Sequence, residues 1–99
     1  MVSKAKLLFR SKFMYQDGAI REMILWELPR KLKGSSHKFK YRLYYGDSDG
    51  KRSVRYDNEQ GKGDHRHFMN KEEAYIFEDV DLLVNDFLND IEKLRGANQ

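Results

Sequence analysis

The chain has 99 residues and no cysteine, with 19 Lys and Arg against 16 Asp and Glu, for a net charge of +3. This length fits a single domain spanning residues 1–99, and the lack of cysteine excludes disulfides and thiolate metal sites, which suits a reducing cytoplasm. Apolar runs fall short of the roughly 18 residues a membrane helix needs, and the N-terminus has only Leu7-Leu8-Phe9 before Arg10, so neither a signal peptide nor a membrane location is expected and the protein reads as cytoplasmic.

From Leu7 to Tyr15, Leu7, Phe9, Phe13 and Tyr15 alternate with Leu8, Arg10, Lys12 and Met14. That period of two predicts a strand, and Asp17-Gly18 a turn after it. Ile20 to Leu28 carries apolar residues on both parities, Ile24 and Trp26 on one and Met23 and Leu25 on the other, so a central strand covered on both faces is expected. Pro29 ends it, because proline cannot donate to a sheet ladder. Arg30 to Lys38 reads as a basic loop. Phe39, Tyr41, Leu43 and Tyr45 then alternate with Lys40, Arg42 and Tyr44, and after a turn at Asp47–Gly50 a return strand runs from Arg52 to Asn58. Val80, Leu83, Val84, Phe87, Leu88, Ile91 and Leu94 recur at spacings of three and four, which is one apolar stripe of a helix. Asp79 is placed to cap its start, and Gly96 to stand just past its end. The expected fold is α+β: an antiparallel β-meander of about four strands with a C-terminal α-helix packed across one face.

Charge is unevenly distributed over this frame. Glu78, Asp79, Asp81, Asp86, Asp90 and Glu92 outnumber Lys93 and Arg95 in the helical stretch, leaving a basic body. Strand alternation gathers Arg10, Lys12, Lys40, Arg42 and Arg55 on the sheet face away from the helix, if the registers agree. A cationic face of this kind suits RNA or DNA, and it equally suits plain solvation of a small domain.

The segment Tyr56 to His67 is the densest in reactive side chains. His65 and His67 are two residues apart and point the same way if the chain is extended. Two imidazoles on one face can divide acid and base work near neutral pH, and phosphodiester cleavage by a ribose 2′-hydroxyl needs such a pair plus a cation on the phosphate. Lys62 and Arg66 are candidate cations, with Asp57 or Asp64 to fix a tautomer. Gly61 and Gly63 flank Lys62 and let backbone N–H groups approach a phosphate, although the spacing is not that of a Walker A loop. Two other readings of the histidines stand beside this one: metal ligation with Asp64 or His37, and simple hydrogen bonding within the loop.

The run Tyr-Asp-Asn-Glu-x-Gly-Lys-Gly-Asp-His-Arg-His at 56–67 resembles the hallmark of the TumE-like toxin family of prokaryotic toxin–antitoxin modules. Lys6 to Arg10, Glu22 to Pro29 with Trp26, Ser36-His37 followed by Lys40-Tyr41-Arg42-Leu43, and the ending with Tyr75, Phe77 and Asp86-Phe87 agree with it. The resemblance implies a growth-inhibiting toxin encoded beside an antitoxin that binds and silences it.

Taken together, these readings lead to a toxin that acts on RNA. Its site comprises His65, His67, Asp64, Asp57 and Glu59 for catalysis. Nucleic-acid contact is assigned to Lys62, Arg66, Arg10, Lys12, Lys40, Arg42, Arg55 and His37. No cofactor or metal is called for, and a homodimer is compatible. The competing readings are a non-catalytic nucleic-acid-binding or protein-interaction module working through the basic face, and a metal-dependent nuclease or nucleotidyl-modifying enzyme using the same carboxylates.

Overall fold

A computed structural model describes residues 4–96; Met1 to Ser3, part of the N-terminal stretch considered above, lie outside the described residues. Six strands precede one helix: β1 (Lys6–Met14), β2 (Ile20–Glu27), β3 (Phe39–Gly46), β4 (Ser53–Glu59), β5 (Gly63–Phe68), β6 (Lys71–Ala74) and α1 (Val80–Gly96). Each strand pairs antiparallel with the next, so the sheet order follows the chain order from β1 to β6. The α+β meander with a C-terminal helix is as expected, but the strand count is six, not about four. The two additional strands, β5 and β6, place Asp64, Arg66 and Glu73 on the helix side, where the first four strands put apolar residues. Phe68 is the one apolar residue that β5 and β6 turn inward, too little for hydrophobic alternation to detect.

The helix begins as its sequence suggests. Asp79 Oδ1 accepts the Leu82 N–H at 2.7 Å, satisfying one of the orphan donors of the first turn. It continues through Gly96 rather than ending before it. Leu83, Phe87, Ile91 and Leu94 are buried against Tyr41, Leu43, Tyr45, Val54 and Tyr56 of β3 and β4. Each such Leu or Phe contributes about 1.5–3 kcal/mol by leaving water. The helix covers one face of the sheet. On the other face Ile24 and Trp26 are only half-buried, so β2 is not the doubly covered strand its sequence suggests. None of the described helices is long and apolar enough to cross a membrane.

Candidate functional site

Strand alternation divides the Tyr56–His67 segment between two faces. Its residues form β4, a tight turn and β5, with Tyr56 opposite Arg66, Asp57 opposite His65 and Asn58 opposite Asp64. Tyr56, Asn58, Asp64 and Arg66 lie on the helix side. Arg55, Asp57, Glu59, His65 and His67 lie on the open face.

The helix-side residues tie the molecule together. Asn58 is buried; its Nδ2 donates to the Phe39 carbonyl at 2.7 Å and its Oδ1 accepts the Tyr41 N–H at 3.0 Å. Asp64 Oδ2 accepts from the Tyr41 hydroxyl at 2.6 Å and from His37 Nε2 at 2.8 Å. His37 Nδ1 accepts the Phe39 N–H at 3.0 Å, so the ring proton sits on Nε2 and points at Asp64. The imidazole also stacks on Phe77, with centroids 3.9 Å apart. Arg66 holds Asp90 of α1 with Nε at 2.7 Å from Oδ2, and the Tyr56 hydroxyl donates to the same oxygen at 2.6 Å. Tyr75 makes a matching bond to Asp86 at 2.6 Å. Burial first, and the carboxylate hydrogen bond second, push the hydroxyls of Tyr41, Tyr56 and Tyr75 well above the usual tyrosine range. Asp64, Arg66 and His37 thus stand across the sheet from His65 and His67, and the structure does not bring them into one site with the histidines.

The Gly-Lys-Gly stretch is a turn. The Lys62 N–H donates to the Glu59 carbonyl at 3.1 Å, and the Gly61 N–H to the Lys33 carbonyl at 2.7 Å. Gly61 and Gly63 adopt φ of 84° and 77°, a region in which a side chain is strained. The Gly61 and Lys62 amides are therefore engaged within the protein instead of cradling a phosphate. Lys62 Nζ is solvent-exposed, 3.8 Å from Glu59 Oε2. The turn's contribution to the site is a carbonyl: His65 Nε2 donates to Lys62 O at 2.8 Å.

Two transverse rows of side chains cross the open face. One is Lys12, Glu22, Tyr44, Arg55, His67 and Glu72; the other is Arg10, Ile24, Arg42, Asp57, His65 and Ala74. The registers agree, so Arg10, Lys12, Arg42 and Arg55 do share this face, together with Lys40, opposite Trp26, whose Nζ donates to the Asn58 carbonyl. Around the histidines the geometry is compact. Glu72 Oε2 lies 3.5 Å from His65 Nδ1 and 3.8 Å from His67 Nε2. Arg55 Nη2 lies 2.9 Å from His67 Nε2, and its Nε 3.3 Å from Asp57 Oδ2. A guanidinium can only donate, so His67 Nε2 carries a lone pair. His65 Nε2 is protonated toward a carbonyl, and its Nδ1 is buried with no hydrogen-bond partner among the described residues. The two side chains are 24% and 25% exposed. Glu72 is the residue that sequence reasoning missed. It enters from β6 by register alone, opposite His67. Among the described residues no group of three or more His, Cys, Asp or Glu is arranged to hold a metal ion.

No curated protein and no solved structure matches the chain. The family model described as Toxin TumE matches residues 4–95, which takes in every strand, the Tyr56–His67 segment and nearly all of the helix. The chain belongs to the TumE toxin family.

Proposed function

We propose that this toxin cleaves RNA at the His65–His67 centre by attack of a ribose 2′-hydroxyl on its own phosphodiester. The observation that carries the reading is the placement of both imidazoles on the open face of β5, with Arg55 beside one and a carboxylate reaching both. Residues two apart on a strand are about 6.7 Å apart along it, a span that a phosphate bridges once the exposed Glu72 side chain, which lies near both rings, swings aside. His67 Nε2, already bearing a lone pair, takes the 2′-hydroxyl proton as the 2′ oxygen bonds to phosphorus. His65 gives an Nδ1 proton to the departing 5′ oxygen as the P–O5′ bond breaks, which requires Glu72 to move off that atom, buried as the structure stands. The Lys62 carbonyl accepts from His65 Nε2, and the Glu72 carboxylate lies 3.5 Å from its Nδ1. Arg55 offsets the charge that builds on the phosphoryl oxygens. The products are a 2′,3′-cyclic phosphate and a 5′-hydroxyl, so atoms and protons balance without a cofactor. Growth arrest would follow, and an antitoxin encoded by the neighbouring gene would relieve it.

The test is to induce the intact protein alone and map new ends in total RNA, then repeat the cleavage with purified protein and chelator. Cyclic-phosphate ends, cleavage that survives chelator and growth restored by the neighbouring gene are expected. RNA left intact by folded, soluble protein would overturn the ribonuclease reading. Cleavage that chelator stops and a divalent ion restores would replace it with a metal-dependent one.

A further inference from the structure

Three cations on the open face remain uncommitted. Arg55, Arg66 and Arg95 each have a polar side-chain partner. Arg10, Lys12 and Arg42 form no ion pair with a carboxylate among the described residues, although Arg42 rests over the Tyr44 ring at 5.4 Å. These three converge on one cavity of about 240 Å³ between β1, β2 and β3, floored in part by Ile24. Glu22 also lines it, opposite Lys12 in the register, so the local balance stays positive. Three unpaired cations around one depression on a sheet repel each other, and an anion would relieve that repulsion.

The depression is aligned with the histidines. Arg10, Ile24, Arg42, Asp57 and His65 form a single transverse row. Strands lie about 4.8 Å apart, which puts Arg42 about 10 Å and Arg10 about 19 Å from the His65 strand. At about 3.4 Å per stacked nucleotide, 19 Å corresponds to roughly five or six nucleotides, and fewer if the chain is drawn out.

Resting on the reading of His65 and His67 as the cleavage centre, we infer that Arg10, Lys12 and Arg42 form a distal phosphate subsite for single-stranded RNA, which makes the enzyme select substrates by length. An RNA strand laid across the sheet reaches the subsite only if it extends several nucleotides beyond the scissile bond. A dinucleotide fills the centre and leaves the subsite empty. An intact duplex does not fit, because the attacking 2′-hydroxyl must swing into line with the bond it breaks.

The experiment compares a dinucleotide and a single-stranded decanucleotide as substrates for the wild type and for Arg10→Gln/Arg42→Gln. Salt-bridged phosphate contacts typically change affinity about tenfold or more each. The wild type should favour the decamer, and the double variant should lose most of that preference, a fall of about a hundredfold in the ratio of the two kcat/KM values. An unchanged ratio overturns the subsite. Binding of a 2′-deoxy decamer, followed against salt, separates this proposal from the cleavage reading. If neither protein cleaves but the variant binds more weakly with a flatter salt slope, the subsite stands and the ribonuclease reading falls. If the two bind alike, the subsite falls whatever the cleavage result.

Discussion

The Arg66 guanidinium grips the Asp90 carboxylate at two points, Nε to Oδ2 at 2.7 Å and Nη2 to Oδ1 at 2.9 Å. This pair spans the sheet–helix boundary, and Asp90 is 3% exposed. Breaking a buried pair from one side leaves an uncompensated charge and costs about 3–5 kcal/mol. Asp90→Ala should therefore lower unfolding free energy by that amount in a denaturant titration. Arg66→Ala should do nearly the same. If Arg66→Ala instead kept full stability and lost RNA binding, Arg66 would be a nucleic-acid contact after all.

Alkaline pH should unfold the protein through its tyrosines. Tyr41, Tyr56 and Tyr75 are held neutral by burial and by hydrogen bonds to Asp64, Asp90 and Asp86. Their folded values lie above the unfolded value near 10, so the stabilisation is complete below about pH 10 and drains away above it. Phenolate absorbance from these three should rise only with cooperative loss of secondary structure. Smooth independent ionisation of all six tyrosines would contradict the hydrogen-bonded arrangement.

Removing either open-face imidazole should leave the fold alone. His65 and His67 are each about a quarter exposed, and neither bridges two elements of the core. His65→Ala and His67→Ala should each reduce RNA cleavage by about 10²–10⁴-fold, with an unchanged melting temperature. Asp64→Asn behaves differently, because it weakens the bonds from His37 and Tyr41 and so should lower the melting temperature. Full cleavage by both histidine variants would remove the proposed centre.

Glu72 should show opposite effects on binding and turnover. Its carboxylate stands where a phosphate would meet both histidines, yet it also faces His65 Nδ1. Glu72→Gln removes a charge that repels RNA, so KM should fall. It also removes the counter-charge for the protonated ring, so kcat should fall too. No change in either constant, or a rise in KM, would mean that the carboxylate plays neither part.

Phe87→Ala should cost about 3–5 kcal/mol, since Phe87 is fully buried beneath the helix against Tyr56. A variant that kept its melting temperature would contradict the packing described for α1.

The helix was legible because Leu83, Phe87, Ile91 and Leu94 repeat on one face, and β1 to β4 because aromatic and aliphatic residues alternate with charges. β5 and β6 were hidden because their inward positions are polar except for Phe68. Asp64 and Arg66 are stable there only through His37, Tyr41 and Asp90, partners 23 or more positions away in the chain. The shared direction of His65 and His67 follows from their spacing alone. The same alternation places Asp64 and Arg66 on the opposite side once the stretch is read as a strand. Glu72 was out of reach of any such argument, since its approach depends on how a short turn sets β6 against β5.

The order of elements also bears on how the protein is made. Synthesis produces all six strands before the helix that covers them. At about 5–20 residues per second, the 17 residues of α1 take roughly one to three seconds to add. During that interval Tyr41, Leu43, Tyr45, Val54 and Tyr56 have no cover, and Arg66 has no Asp90 to hold. A chain at this stage presents the apolar face of its sheet bare, and the helix is the element that closes it.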